Sequence, residues 1–556
     1  MPRAAHLEHS RGQRHRPATG QSHRERESCN CNFQASSRGR MISASGAKPF
    51  PAAQARRRLM TLDQVLKSTG VSAGTGGAVE IAAITNDSRK AVKGALFFAL
   101  PGAKTDGNLY IRQALENGAA AIVSQNPPDP ALKAAHPVAV WLNPPDIAAL
   151  LSGAASNFYG NPSAALKVAG LTGTKGKTTT AYFLESILAA HGDKPGVTGT
   201  INYRVNGRVL SKASNTTPLA HDLQALLRAM ADAGAKSAVM EVSSHALALK
   251  RADGVQFDCA AFTNLQSDHM DFHKTREDYF LAKARLFDLL AASPKKGKCA
   301  VINADDEKHP ALMAMLPSEL RALTFAVDKK ADFRASSVKI LERETLFDLE
   351  TPYGRTAVSL ALLGLHNVYN ALAAITAACA MGVDLETAVK GAGALTLVPG
   401  RLERVDLGQN FTVFVDYAHT GAALESALAN LQLLPHKKII TVFGCGGDRD
   451  RTKRGPMGAV ACSLSDRVVV TSDNPRTEDP AQIFSDIERR LAGLFFNYEL
   501  LPDRREAIFR AIASASEGDI VLIAGKGHED YQILKDRTIH FSDRETAEEA
   551  IKEKMR

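Results

Sequence analysis

From residue 60 onward, short apolar runs alternate with stretches of helical periodicity, which predicts α/β domains whose sheets are mainly parallel. The runs 95–100, 166–169, 238–242, 259–263, 299–302, 411–415, 438–443, 467–471 and 520–524 read as strands, while 61–66 and 180–184 read as helical. No internal repeat of fixed period is present in the sequence. The pattern divides into three blocks: 60–163, closing near Gly160-Asn161-Pro162; 164–397; and 398–556, opening at Pro399-Gly400. Polar clusters stand directly after several of the strands, where ligands of open parallel sheets bind.

Charge changes the picture at one end only. The chain of 556 residues has a formal net charge of +9, but residues 1–59 carry 11 Arg and 1 Lys against 3 Glu, and the remaining 56 basic and 56 acidic residues cancel. A neutral body argues against nucleic acid as a partner. The leading segment is rich in Arg, Ser, Gln and His and poor in large apolar residues, so it is expected to be disordered. Glu8, Glu25, Glu27 and the lack of an amphipathic pattern argue against a transit peptide; the expectation is an over-extended start, with Met60 the more natural beginning. No apolar stretch approaches the ~18 to 20 residues that span a bilayer. Seven cysteines, odd in number and scattered, suit a reducing cytosol, with Cys29-Asn30-Cys31 incidental. The body is therefore expected to be soluble and cytoplasmic.

Gly173-Thr174-Lys175-Gly176-Lys177-Thr178-Thr179 lies between the run 166–169 and the helical segment 180–184. Strand, glycine-rich loop and helix in that order suit ATP: backbone N–H groups at the helix start cradle phosphate oxygens, Lys177 reaches the terminal phosphates, and the Thr178 hydroxyl ligates Mg²⁺. The generic phosphate-loop spacing is not fully met, because Leu171 stands where its first glycine belongs. Glu241 closes the run 238–242 ahead of Ser243-Ser244-His245, a carboxylate placed to share that Mg²⁺. A polar cluster with Asp268 and His269 follows the run 259–263. Lys283, taken alone, reads as a helix-surface residue.

The phosphate loop, Glu241-Val242-Ser243-Ser244-His245, Asp268-His269 and Ala282-Lys283 occur together in the order and spacing of the Mur ligases, and from residue 60 to the C-terminus the chain resembles that family. The resemblance implies an N-terminal UDP-binding α/β domain, a central P-loop ATPase-type parallel sheet with flanking helices, and a C-terminal Rossmann-like domain. It implies a first Mg²⁺ held by Thr178 and Glu241, and a second held by His269 and by Lys283 carbamylated with CO₂. It further assigns Asn367, Arg401 and Asp416 to ATP, the last as a ribose contact. Gly421 stands where the family usually has proline, so rigidity of that loop is in question and its chemistry is not.

Asp87-Ser88-Arg89, with Gly94 and Asp106-Gly107, resembles the uridine-diphosphate pocket of members that add the third residue of the peptidoglycan stem peptide, with Ser88 the strongest single candidate. Asn215, Thr216, Thr217, Ser243 and Arg251 complete the contacts expected to UDP-N-acetylmuramoyl-L-alanyl-D-glutamate, and Leu249 replaces a glutamine of some relatives. Asp473-Asn474-Pro475-Arg476 resembles the pattern that, in those members of the family, marks use of meso-2,6-diaminopimelate. That acceptor is lysine plus a distal carboxylate, so Arg449 and Arg476 can fork onto the carboxylate while Glu529 and the Gly525 carbonyl accept from the distal ammonium. The expectation is a monomeric ligase that forms an amide bond through an acyl phosphate. Rival readings are a folylpolyglutamate synthase-like ligase and a non-catalytic ATP-binding homologue.

Overall fold

The computed structural model describes residues 59–102, 105–266, 268–270 and 272–556. The expectations for the basic leader through residue 58, including Cys29 and Cys31, fall outside the described residues. The described chain begins with a short helix, Leu62–Leu66, closed by a capping box: the Thr61 hydroxyl accepts from Gln64 N and the Gln64 side chain accepts from Thr61 N.

Beside two small two-stranded sheets, Met60–Thr61 with Glu80–Ile81 and Tyr531–Ile533 with Thr538–His540, three larger sheets carry the described residues. The first has four parallel strands in the order Ala83–Thr85, Ala95–Phe98, Ala119–Val123 and Val140–Leu142. Every residue of Ala95–Phe98 is buried, because a parallel sheet is covered on both faces and its inner strands read as unbroken apolar runs. The helix Ile147–Phe158 buries Leu150, Leu151 and Ala154 in the same core.

The second sheet has eleven strands. At its centre the strand Lys167–Thr172 lies between Ser237–Glu241 and Cys259–Phe262, all parallel, so the loops that leave their carboxyl ends emerge side by side. One core, on the face of helices Lys177–Ala190 and Leu365–Ala380, and a second, around helix Arg276–Ala292, sandwich the sheet. Its two ends are antiparallel, which the expectation of mainly parallel sheets did not include: Asn202–Val205 pairs with Arg208–Lys212 at one end, and Phe333–Ile340, Thr345–Thr351 and Gly354–Leu360 form a meander at the other. The first hairpin turns on Asn206-Gly207, both at positive φ, as a tight hairpin requires.

The third sheet runs in the order Glu403–Val405, Thr412–Asp416, Ile520–Ala524, Ile439–Cys445, Arg467–Ser472 and Tyr498–Leu500, parallel except for the first strand. Asp416, Cys445, Ser472 and Ala524 all end strands on one edge of it. No helix of the described residues is long and apolar enough to cross a membrane.

Candidate active site

The phosphate loop is stitched to the strand beside it. Lys175 N donates to Asn264 Oδ1 at 3.0 Å, Thr263 Oγ1 donates to Lys175 O at 2.7 Å, and Thr174 Oγ1 accepts from Gln266 N at 2.9 Å. Two glycines permit this closeness: a Cβ on Gly173 would lie 2.0 Å from Thr263 Oγ1, and one on Gly176 would lie 2.3 Å from Asn370 Oδ1, both at positive φ. Lys177 folds back over the loop, its Nζ donating to the Gly173 and Thr174 carbonyls at 2.8 and 2.9 Å. Burial pushes the Lys177 amine down, opposed by Glu241. Gly176 caps the helix Lys177–Ala190, so Thr178 and Thr179 occupy its positive end.

Thr178 Oγ1 donates to Glu241 Oε2 at 2.8 Å, and both side chains are buried. Glu241 also accepts from Thr200 N at 2.9 Å and Thr200 Oγ1 at 3.0 Å, and the Thr200 hydroxyl lies 3.1 Å from that of Thr216. Thr200 escaped the sequence reading, since nothing in Gly199-Thr200 marks a ligand-bearing turn.

Lys283 is 1% exposed, which overturns its reading as a helix-surface residue: its helix presents Tyr279, Phe280, Lys283, Leu286 and Phe287 to the core. Its Nζ donates to Gly173 O at 2.8 Å and stands 4.2 Å from the centroid of the Tyr279 ring. Burial, reinforced by the Lys177 ammonium, pushes this amine well below the usual lysine range. Tyr279 is a second residue that sequence reasoning missed, although its spacing of four from Lys283 on a helix is a legible signal. Its hydroxyl donates to Thr174 Oγ1 at 3.2 Å, and its ring lies 6.1 Å from that of His269. His269, at a φ of 57°, is half exposed and stacks edge-on with His245 at 4.9 Å.

Asn367 and Asn370 share a face of the helix Leu365–Ala380, joined by a 3.1 Å hydrogen bond, and Asn370 meets the phosphate loop through Thr180. Arg401 lies over the Tyr417 ring at 5.1 Å, and its buried Nε has no hydrogen-bond partner among the described residues. The Asp416 oxygens accept from Leu402 N at 2.7 Å and Ala418 N at 2.8 Å; the carboxyl thereby fixes the turn that carries Arg401. Burial pushes Asp416 up, and the Arg401 guanidinium opposes this. Across the gap to the third sheet, Lys175 Nζ donates to Ala422 O at 2.9 Å.

Thr217 gathers the next group. Its hydroxyl donates to Glu241 O at 2.9 Å and accepts from Ser243 N at 3.1 Å, while its carbonyl accepts from Arg251 Nη1 at 3.2 Å. Arg251 Nε is buried and has no hydrogen-bond partner among the described residues, and burial pushes its guanidinium down. Ser243 caps the helix Ser244–Ala248, and the Asn215 carbonyl accepts from Tyr203 Oη at 2.7 Å. Ser88 is 6% exposed and donates to Gln113 Oε1 at 2.7 Å, while Asp87 holds Arg89 through two 2.9 Å hydrogen bonds.

The remaining candidates follow three neighbouring strands of the third sheet. A Cβ on Gly446 would lie 2.9 Å from Arg476 Nη1 and 3.8 Å from Arg449 Cγ, so the two guanidinium-bearing chains flank one glycine. Arg476, at a φ of 54°, donates to Gly447 O at 2.8 Å, and Arg449 donates to Asp448 O at 3.2 Å. Among the described residues neither forms an ion pair, whereas nearby Arg451, Arg454 and Arg504 are each paired with carboxylates. Asn474, 2% exposed, donates to Glu529 Oε2 at 2.8 Å, and Asp473 Oδ1 accepts from Asn474 N at 2.5 Å. Gly525 follows at a φ of 118°, where a Cβ would meet Asp473 Oδ2 at 2.9 Å. Lys526, wholly buried beside them, is the third residue that the sequence reading passed over.

Three family models match this chain: the Mur ligase family catalytic domain over residues 80–159, the Mur ligase middle domain over 171–378, and the Mur ligase glutamate ligase domain over 400–527. The UDP-N-acetylmuramoyl-L-alanyl-D-glutamate–2,6-diaminopimelate ligase of Solibacter usitatus is 44% identical over 475 residues, covering 85% of this chain and 94% of its own length. The ligase of the same name from Bacillus cereus is 44% identical over 474 residues, with the same coverage. A solved structure of a ligase of that name superposes with a TM-score of 0.64 at 32% identity, covering 90% of this chain and 100% of its own.

Proposed function

The chain belongs to the Mur ligase family, and we propose that it joins meso-2,6-diaminopimelate to UDP-N-acetylmuramoyl-L-alanyl-D-glutamate in the cytoplasm, cleaving ATP to ADP and phosphate. The observation that carries the choice of acceptor is the pair Arg449 and Arg476, two cations that form no ion pair among the described residues, while Arg451, Arg454 and Arg504 nearby each have a carboxylate partner. A guanidinium left without an ion pair at a tight turn such as 473–476 suits a carboxylate that arrives with a ligand. The folylpolyglutamate synthase-like reading gives those two arginines no partner, and a non-catalytic homologue leaves the buried Lys283 unexplained.

ATP phosphates lie along the loop 173–179, with Lys177 and Arg401 neutralising charge and Asn367 on the nucleoside side. The UDP-dipeptide spans Ser88 and the group formed by Asn215, Thr216, Thr217, Ser243 and Arg251, with Arg251 facing one of its carboxylates. The D-glutamate side-chain carboxylate attacks the γ-phosphorus, breaking its bond to the ADP oxygen and forming an acyl phosphate. The acceptor amine then attacks the acyl carbon, expelling phosphate and giving up a proton. Arg449 and Arg476 orient the acceptor by its distal carboxylate, and Glu529 with the Gly525 carbonyl orients it by its distal ammonium.

The adjoining Thr178 hydroxyl and Glu241 carboxylate are hard oxygen donors that fit Mg²⁺, with a second ion assigned to His269 and carbamylated Lys283; bound there, Mg²⁺ offsets repulsion between the phosphates and the incoming carboxylate. Carbamylation requires a neutral amine, and the buried Lys283 is pushed toward that form. The test is phosphate release with the UDP-dipeptide and each candidate amino acid in turn. Release that depends on diaminopimelate is expected; equal release with lysine would overturn the assignment.

A further inference from the structure

Glu529 and Arg476 both touch Asn474: its side-chain Nδ2 donates to Glu529 Oε2 at 2.8 Å, and its backbone carbonyl accepts from Arg476 Nη1 at 3.4 Å. Opposite charges attract, yet these two, sharing Asn474 as a neighbour, form no ion pair with each other. The carboxylate is engaged elsewhere. Lys526 Nζ, on a side chain with 0% exposure, lies 3.1 Å from Glu529 Oε2 and 3.2 Å from Asn474 Oδ1. The lysine cannot easily drift: Gly525 and Gly527 bracket it at positive φ, and a Cβ on Gly527 would lie 2.7 Å from Tyr417 Cβ and 2.9 Å from Gly400 O. Asn474 is held in turn by Ile533 N, which donates to Oδ1 at 2.9 Å.

We infer that Lys526 is a positioning residue for acceptor specificity: by binding Glu529 Oε2 together with Asn474, it keeps that carboxylate off Arg476 and leaves the guanidinium open to the distal carboxylate of the acceptor. Oε2 then has two protein donors, and Oε1, which accepts no hydrogen bond among the described residues, remains for the acceptor's ammonium. Without Lys526, Glu529 swings to the nearest unpaired cation and closes the site against the group that distinguishes diaminopimelate from lysine. The inference rests on the acceptor reading above, deepening it by one residue.

The experiment measures KM and kcat for diaminopimelate and for 2-aminopimelate, which keeps the distal carboxylate and lacks the distal amine, in wild type, Lys526→Met, Glu529→Gln and the double variant. Lys526→Met is expected to raise KM for both acceptors by about tenfold or more, with KM for ATP and the UDP-dipeptide unchanged. In the Glu529→Gln background the same substitution is expected to change KM less than about twofold, because the competing carboxylate is gone. Equal losses in both backgrounds, or a loss confined to diaminopimelate, would overturn the inference. Should Lys526→Met melt well below wild type, Lys526→Gln enters the same cycle and is judged by the same two outcomes. A wild-type enzyme that does not use diaminopimelate defeats the acceptor reading itself, at the first measurement and separately from any result on Lys526.

Discussion

Thr178 and Glu241 stand 63 positions apart in the chain, yet the Thr178 hydroxyl donates to the Glu241 carboxylate at 2.8 Å inside a pocket that buries both. Adjacent parallel strands make this possible, because Glu241 pairs with Leu171 in register and both strands deliver their next residues to the same edge. Glu241→Gln keeps the shape and removes the charge. It is expected to raise the Mg²⁺ concentration needed for half-maximal rate and to lower kcat by about a hundredfold. An unchanged Mg²⁺ dependence would exclude Glu241 as a ligand.

Lys177→Ala is expected to abolish turnover while leaving the melting temperature close to wild type. Among the described residues the Lys177 ammonium bonds only to the Gly173 and Thr174 carbonyls, so its loss removes phosphate neutralisation and little packing. Normal activity in a well-folded variant would sink the assignment of ATP to this loop.

Lys283→Ala is expected to be nearly inactive and partly restored by added short carboxylic acids, which replace a carbamate as a ligand. Full activity without additive would mean that the second metal position is wrongly drawn.

Arg476→Ala is expected to lower kcat/KM for diaminopimelate by ~30-fold to several thousand-fold, the range for truncating one partner of a buried charge pair. Lysine gains little, since Arg449 still lacks a carboxylate to meet. Steady-state kinetics with both acceptors decide the matter: an equal loss for the two acceptors would defeat the role given to Arg476.

Beside the acceptor site, Glu478 accepts from the wholly buried Arg454 at 2.9 and 2.7 Å, and these hydrogen bonds draw its carboxyl from the usual range down to about 2. A carboxyl lowered on folding contributes stability that is complete above its unfolded value, about 4.3, and is lost as pH falls through the folded one. The urea midpoint of Glu478→Gln is therefore expected to lie below wild type at neutral pH, with the gap closing as pH falls toward about 2. A gap that stays constant with pH would show that the ion pair contributes nothing through titration.

The central features were legible because they are local. Gly173 through Thr179 occupy consecutive positions, the runs around 238–242 and 259–263 became strands, and the order of the motifs along the chain was enough to suggest the family. A strand buried on both faces has to be continuously apolar, and a phosphate loop has to begin a helix, so sequence pattern and structure carry the same information there. The antiparallel meander 333–360 was not legible in that way. Its strands alternate buried and exposed residues and lie at a sheet end, where pairing depends on neighbours far along the chain.

What the sequence determined by itself was the class of fold, the order of the elements and the candidates for phosphate and acceptor binding, each written in residues close together. Tertiary structure alone decided which of those candidates meet and in what state of charge. Lys283 looks like a surface lysine until its helix is laid against Gly173, and the burial that follows is what pushes its amine well below the usual lysine range. Thr200 and Lys526 carry no motif of their own, and their roles exist only because Glu241 and Glu529 are brought beside them. The physical reason is that burial and electrostatic partnership are set by three-dimensional neighbours, and a linear pattern records those only when the neighbours are also close in the chain.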